Sequence, residues 1–307
     1  MAQNSPAPDA IRVFDRALLR RRRRRAAGNW PAHDFLKREA VAALRERLDD
    51  IRHQFPRLLD LGSHAGELSD ALQGRAGEEL TVRTDLAPRF LARQAGLCVV
   101  ADEEFLPFAP ASFDLIASAL SLHWVNDLPG ALLQIRQALK PDGLFLAAML
   151  GGSSLYELRQ CLLQAEAEFE GGASPRVSPF VDLRDAAGLL QRAGFALPVA
   201  DIDRLNVTYA DALALMRELR GMGESNVVLE RRRTPMRRQT LLRAAALYAD
   251  RFGQPDGRIT ATFEIIYLHA WAPHASQQQP LRPGSAQQRL AEALGVVERS
   301  AGEKAGH

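Results

Sequence analysis

The sequence predicts a Rossmann-like α/β domain, a largely parallel sheet with helices on both faces. Short apolar runs alternate with helix-periodic segments between residues 57 and 149. Three successive runs end in an acid, at Asp60, Asp85 and Asp102. The first acid leads into Gly62-Ser63-His64-Ala65-Gly66, a glycine-bearing loop of the kind that turns a strand into a helix beneath a ligand.

Taken in order, Met1 to Asp9 is rich in Pro, Ala and Ser and reads as disordered. Ala10 to Arg25 and Asp34 to Asp50 carry apolar residues at helical spacing, so the front of the chain is helical. Arg57 to Leu61 is then a short strand, and the helix pattern resumes at Glu67. Leu80 to Thr84, Gly96 to Ala101, Phe113 to Ser118 and Gly143 to Met149 follow as strands. Leu128 to Leu139 is the clearest helix among them, stopped by the turn Lys140-Pro141-Asp142-Gly143. Further on, Tyr156 to Phe169 and Asp182 to Ala193 read as helices, the second closed by Gly194. Phe195 to Asp203 reads as a strand, Tyr209 to Arg220 and Arg237 to Arg251 as helices, and Ala261 to Trp271 as a final strand. After Pro273 the Gln, Pro and Ser content predicts a tail.

Composition sets outer bounds. With 47% hydrophobic and 25% charged residues the 307-residue chain is an ordinary globular one, and no apolar stretch reaches the roughly 20 residues of a membrane helix. A net charge of +2 argues against a general nucleic-acid coat, because the basic excess is local, in Arg20 to Arg25 and Arg231 to Arg238. The first run reads as one solvated helix, one face of which could fold over a ligand, with RNA or an acidic partner as the alternative. Cys98 and Cys161 are far apart in sequence and predict a reducing compartment and no structural metal. Met1 to Ala27 lacks the pattern of a signal or transit peptide, which points to a bacterial cytoplasm, or to the mitochondrial matrix if the source is eukaryotic.

The acids select among nucleotide ligands. A carboxylate at Asp85 can accept hydrogen bonds from both ribose hydroxyls. A dinucleotide wants G-x-G-x-x-G and a helix N-terminus facing its pyrophosphate, whereas this loop has only Gly62 and Gly66. Acids ending three strands repel phosphate and attract a cation, which suits the sulfonium nucleoside S-adenosylmethionine. Near the fourth strand, His123 could serve as a base and Trp124 could stack on a cationic substrate. Glu224, in the polar stretch Gly221 to Asn226, could hold a guanidinium with two hydrogen bonds. For each of the three the alternative is structural: Trp124 packing under a helix, His123 bonding a loop, Glu224 bracing one. The histidines offer no H-E-x-x-H and no facial-triad spacing, so a conventional non-haem iron site finds no support.

Longer runs carry a resemblance. Ala101-Asp102-Glu103-Glu104-Phe105-Leu106-Pro107-Phe108, Ser121-Leu122-His123-Trp124-Val125-Asn126-Asp127-Leu128 and Gly221-Met222-Gly223-Glu224-Ser225-Asn226 closely resemble the family of assembly factor 5 of respiratory complex I. The likeness extends from Phe14 to about Ser285, and a more distant one is to the malonyl-carrier-protein methyltransferases of biotin synthesis. It implies a seven-stranded methyltransferase fold with N-terminal helices and a helical insertion before the last strand. It implies S-adenosylmethionine as cofactor and hydroxylation of an arginine in a complex I core subunit. Methyl transfer to a small molecule or carrier protein, and a non-catalytic escort of a complex I subunit, are the alternatives. Peripheral contact with a membrane stays open.

Carried over by position, Asp60, Gly62 and Gly66 would line the methionine end of the cofactor, Asp85 the ribose, and Asp102 with Glu103 the adenine edge. His64 and Ser118 join them as cofactor-contacting candidates. His64 stands where the methyltransferase pattern has its middle glycine, so its side chain crowds the cofactor or the loop bows outward. The domain boundaries expected on this basis are 1–50 for a tail and helical segment, 51–205 for the cofactor-binding core, 206–258 for the insertion, 259–273 for the last strand and 274–307 for a flexible tail.

Overall fold

A computed structural model describes residues 12–278 and Gly295; the expected disordered start and most of the expected tail lie outside these residues. Two units separate at Pro273. The second contributes only a short turn to the description, in which His274 N donates to Gln277 Oε1.

Helix α1 (Arg16–Ala26) begins where the Asp15 carboxylate accepts from Leu18 N at 2.8 Å, an N-cap. The helix expected from Ala10 therefore starts later. Asn126 Oδ1 accepts from Val13 N and Phe14 N at 2.8 and 2.7 Å, and Phe14 bridges to Val228. These tertiary hydrogen bonds hold that stretch extended and outweigh its helical periodicity. A single turn at Trp30–Ala32 leads to α2 (Phe35–Asp49), which buries Leu36, Ala40, Val41, Leu44 and Leu48 along one stripe.

Strands β1 (Phe55–Leu61), β2 (Ala76–Asp85), β3 (Leu97–Val100), β4 (Phe113–Ala119) and β5 (Leu139–Leu150) run parallel. Strands β6 (Ala196–Tyr209) and β7 (Ile259–Trp271) complete the sheet, β7 lying antiparallel to both β5 and β6. The order is β3-β2-β1-β4-β5-β7-β6, a seven-stranded sheet. Crossovers run through α3 (Glu67–Ala71), α4 (Pro88–Leu91) and α5 (Leu128–Ala138). Helices α6 (Tyr156–Phe169) and α7 (Leu183–Arg192) precede β6, and α8 (Ala212–Met222) and α9 (Arg238–Phe252) precede β7.

Both faces of the central strands are buried, so they read as continuous apolar runs while their side chains still alternate. Leu144, Leu146, Ala148 and Leu150 of β5 join the core that α2, α6, α8 and α9 cover. Phe145, Ala147 and Met149 join the opposite core, under α5 and α7.

Several other expected boundaries shift. The turn at Lys140-Pro141-Asp142-Gly143 lies within β5 as a bulge, with Asp142 at φ 63° and a register break between Phe113 and Leu115. β2 starts at Ala76 rather than Leu80. β6 runs on to Tyr209 because β7 pairs with it as far as Tyr209 opposite Ile259. The helix expected from Tyr209 consequently begins at Ala212, where Asp211 caps it by accepting from Ala214 N at 2.6 Å. Strand order reverses between β1 and β4, and the acids found in the sequence sit at that carboxyl edge, where ligands of open α/β sheets bind.

Candidate active site

Asp60 lies in β1 and is fully buried, its Oδ2 accepting from Ser69 N at 3.1 Å while Oδ1 has no partner. Burial pushes this carboxyl up, against the opposing pull of Lys37. The next turn needs glycine at Gly62: φ is +70°, and a Cβ there would stand 2.1 Å from Ser121 Oγ and 3.2 Å from Glu103 Oε1. Gly66, at φ +96°, opens α3. Ser118 is buried. Its hydroxyl donates to Leu61 O at 2.8 Å and braces β4 against β1.

His64 answers the question its position raised. It adopts φ +50°, is buried, and turns its ring away to stack on Trp30 at 4.8 Å with Phe90 edge-on at 5.2 Å. Lys37 of α2, also buried, donates to Ala119 O at 2.7 Å and to Gly62 O at 3.2 Å, and its Nζ lies 3.1 Å from His64 Nδ1, which is itself 3.0 Å from Gly62 O. Burial, with the positive charges of Lys37 and Arg23, pushes the His64 pKa well down, and burial lowers that of Lys37. The gap bounded by Trp30, Lys37, His64 and Glu224 measures about 10 Å³, the room of no more than one water.

An arginine lies across the carboxyl ends of β2 and β4. Arg23 of α1, 1% exposed, reaches Glu103 Oε1 at 3.1 Å and Asp85 Oδ2 at 3.4 Å with Nη1, and donates to Ser121 Oγ at 3.0 Å with Nη2. Asp85 also accepts from His64 N at 3.2 Å and Ala87 N at 2.7 Å. Burial raises the Asp85 carboxyl even so. Glu103 goes the other way. Burial would raise it, but Arg16, Arg23 and the Ser121 hydroxyl outweigh that and hold it at about 2. Arg16 pairs with Asp102 and Glu103 and donates to Trp124 O at 3.2 Å. Of the two acids expected at the third strand's end, Glu103 is the buried one, and Asp102 is a partly exposed partner of Arg16.

Arg16, Arg23, Lys37 and Ser121 escaped the sequence reading. One signal was present: Arg16, Leu19, Arg23 and Ala26 share a helix face, and of the four Leu19, Arg23 and Ala26 are buried. The arginine run is therefore not one solvated surface. Arg20, Arg21, Arg24 and Arg25 face outward, and Arg23 faces in.

Across the β4 edge the other candidates converge. Leu150 N donates to His123 Nδ1 at 3.5 Å, so His123 Nε2 donates to Glu224 Oε2 at 3.0 Å, and Trp124 Nε1 donates to Glu224 Oε1 at 3.4 Å. Phe14 and Phe180 set their edges against Trp124, and Phe180 also against His123. Glu224 is aimed by Gly223, which ends α8 in the left-handed region at φ 82°. Beyond it lies a cavity of about 190 Å³, walled by Leu155, Leu158, Leu162, Met216, Leu219 and Met236. Glu224 borders both this cavity and the small gap at His64.

Comparison with known proteins gives the following. Residues 59–147 match the family model described as "Methyltransferase domain". The chain is 43% identical over 283 residues to a Danio rerio protein named "Arginine-hydroxylase NDUFAF5, mitochondrial", covering 90% of this chain and 88% of that one. It is 37% identical to a "Malonyl-[acyl-carrier protein] O-methyltransferase" of Laribacter hongkongensis, over 88% of this chain and 94% of that one. Among solved structures, a candidate methyltransferase of Bacillus halodurans superposes with a TM-score of 0.54 at 15% identity, over 77% of this chain and 100% of that one, a likeness of fold.

Proposed function

The chain belongs to the S-adenosylmethionine-dependent methyltransferase superfamily, in the family of the NDUFAF5 arginine-hydroxylases, and from this we propose that it binds that cofactor and modifies a protein arginine at Glu224. The observation that carries the reading is the position of Glu224. Its carboxylate, oriented by His123 and Trp124, stands between the gap beside the glycine loop and an apolar-walled cavity. An arginine side chain is an apolar stem ending in a planar cation, which matches apolar walls closed by a carboxylate.

The residues at the β1 and β2 ends fit the cofactor in kind. Asp60 offers a buried, unpartnered oxygen, Gly62 keeps the loop open to close approach, and Asp85 and Glu103 are acids in the positions of the ribose and adenine edge. When bound, S-adenosylmethionine supplies a sulfonium-activated carbon. The protein's part is to hold the acceptor guanidinium at Glu224, to orient that carboxylate by the His123 and Trp124 hydrogen bonds, and to exclude water with Phe14 and Phe180.

The client follows from the family likeness read in the sequence, a core subunit of respiratory complex I. No described helix is long and apolar enough to cross a membrane. Peptide mapping of complex I core subunits from cells with and without the gene tests the reading. One arginine should gain one methyl, taken from S-adenosylmethionine, or one oxygen, taken from an external oxidant of the dioxygen class, only when the protein is present, and Glu224→Gln should abolish the gain. Identical arginine masses in both strains would refute it. Arg220 and Arg176 also line the cavity and would suit an anionic acceptor such as a malonyl carboxylate, which supports methyl transfer as a second reading. Release of S-adenosylhomocysteine with methylation of a carrier-bound acid would select that one.

A further inference from the structure

We propose that Arg23 is a built-in occupant of the cofactor cleft, and that the cofactor enters by expelling it together with the inner face of α1. The inference rests on the cofactor reading above. Its basis is competition for the same atoms. Arg23 Nη1 lies against Asp85 Oδ2 and Glu103 Oε1, and Nη2 donates to Ser121 Oγ, the hydroxyl that a Cβ on Gly62 would strike. A ribose diol bound at Asp85 needs the lone pairs that Arg23 and His64 N now share. A ligand that takes the Asp85 and Glu103 oxygens and this guanidinium exclude one another, because both need the same acceptor atoms.

Charge makes the exchange feasible. Expelling Arg23 alone would leave two buried acids facing fewer cations, an arrangement of high cost. A ligand that brings its own positive charge restores the balance. The cleft is therefore selective for a cationic nucleoside over a neutral one, S-adenosylmethionine over S-adenosylhomocysteine.

Arg23 does not leave unaccompanied. Its Cα and Cγ lie 3.8 and 3.9 Å from the Cβ position of Gly223, and Ala26 lies at 3.4 Å. Arg22 of the same helix donates to Asn226 O. Asp15 N donates to Val227 O at 2.8 Å and Leu229 N to Val13 O at 2.8 Å. Helix α1 is thus tied to the 223–229 segment that carries Glu224. Withdrawal of Arg23 loosens that segment and opens the acceptor site, so cofactor binding precedes protein substrate.

Two measurements test this on the full-length protein. By calorimetry, Arg23→Ala should bind S-adenosylmethionine at least about tenfold more tightly than wild type, because the self-occupied population is removed. The gain should be smaller for S-adenosylhomocysteine. Hydrogen exchange on the wild type needs no variant to fold. Addition of S-adenosylmethionine should speed exchange in 16–26 and 223–229 while slowing it at the ends of β1 and β2. Equal or weaker binding by Arg23→Ala, or cofactor-induced protection of 16–26, would overturn the proposal and leave the cofactor reading standing. Wild type and variant both folded and both without heat of binding would overturn the two together.

Discussion

Replacement of Glu103 by Gln probes the charge cluster most directly. Glu103 is 1% exposed, and its two oxygens accept from Arg16, Arg23 and Ser121. Its carboxyl, held at about 2 against an ordinary 4.5, contributes about 3 kcal/mol to stability at neutral pH. The sign follows from the direction. A folded-state value below the unfolded one gives stability that is complete above pH 4.5 and lost as the pH falls through 2. By pH 3.5 close to half of it has gone. An amide keeps one acceptor oxygen and turns an N–H pair toward guanidinium groups, so the variant loses the whole term, within the roughly 3–5 kcal/mol expected for breaking a buried pair. Urea denaturation at pH 7 should place Glu103→Gln about 3 kcal/mol below wild type, and at pH 3.5 the gap should shrink to about half. Asp60, raised by burial, is common to both proteins and cancels, whereas Asp85 is raised by burial and by the charge of Glu103, so the substitution eases Asp85 and narrows the measured gap. A gap under about 1 kcal/mol, or one that does not change with pH, would show that Arg16 and Arg23 do not hold this carboxylate as described.

Other outcomes follow from single contacts. Gly62→Ala should cost about 3 kcal/mol, from left-handed strain and a Cβ 2.1 Å from Ser121 Oγ. Adding Ser121→Gly should recover the steric part and leave the strain, read as a double-mutant cycle by denaturation. Asn126→Ala removes the acceptor of Val13 N and Phe14 N and should cost about 1–3 kcal/mol. Limited proteolysis should then cut ahead of α1 much faster than in wild type. An unchanged cleavage rate would mean that Asn126 does not anchor the segment.

Much of the fold was legible because it is local. Leu58 and Leu59 in β1, or Phe145 and Leu146 in β5, announce a doubly covered strand by being consecutive and apolar. Asp60 and Asp85 mark strand ends because a carboxylate is tolerated there only beside a ligand or a partner. The runs around His123 and Glu224 named a family before any contact was known, and the structure brought these two residues, 101 apart, within 3.0 Å.

What tertiary structure alone decided is which charges meet. Periodicity puts Arg23 on the inner face of α1, but its partners Glu103 and Ser121 stand 80 and 98 residues away. Helical periodicity sets Arg23 apart from its solvated neighbours Arg20, Arg21, Arg24 and Arg25, but it does not say which acids Arg23 will meet. The same holds for Lys37, whose acceptors Gly62 O and Ala119 O are backbone atoms that sequence cannot single out. Ser118 reads in the sequence as a ligand contact, and the packed chain adds that its hydroxyl donates to Leu61 O across the β4–β1 pair. A sequence specifies which side of each element is buried. Only the packed chain determines what that side is buried against, since long-range electrostatics depends on distances that folding creates.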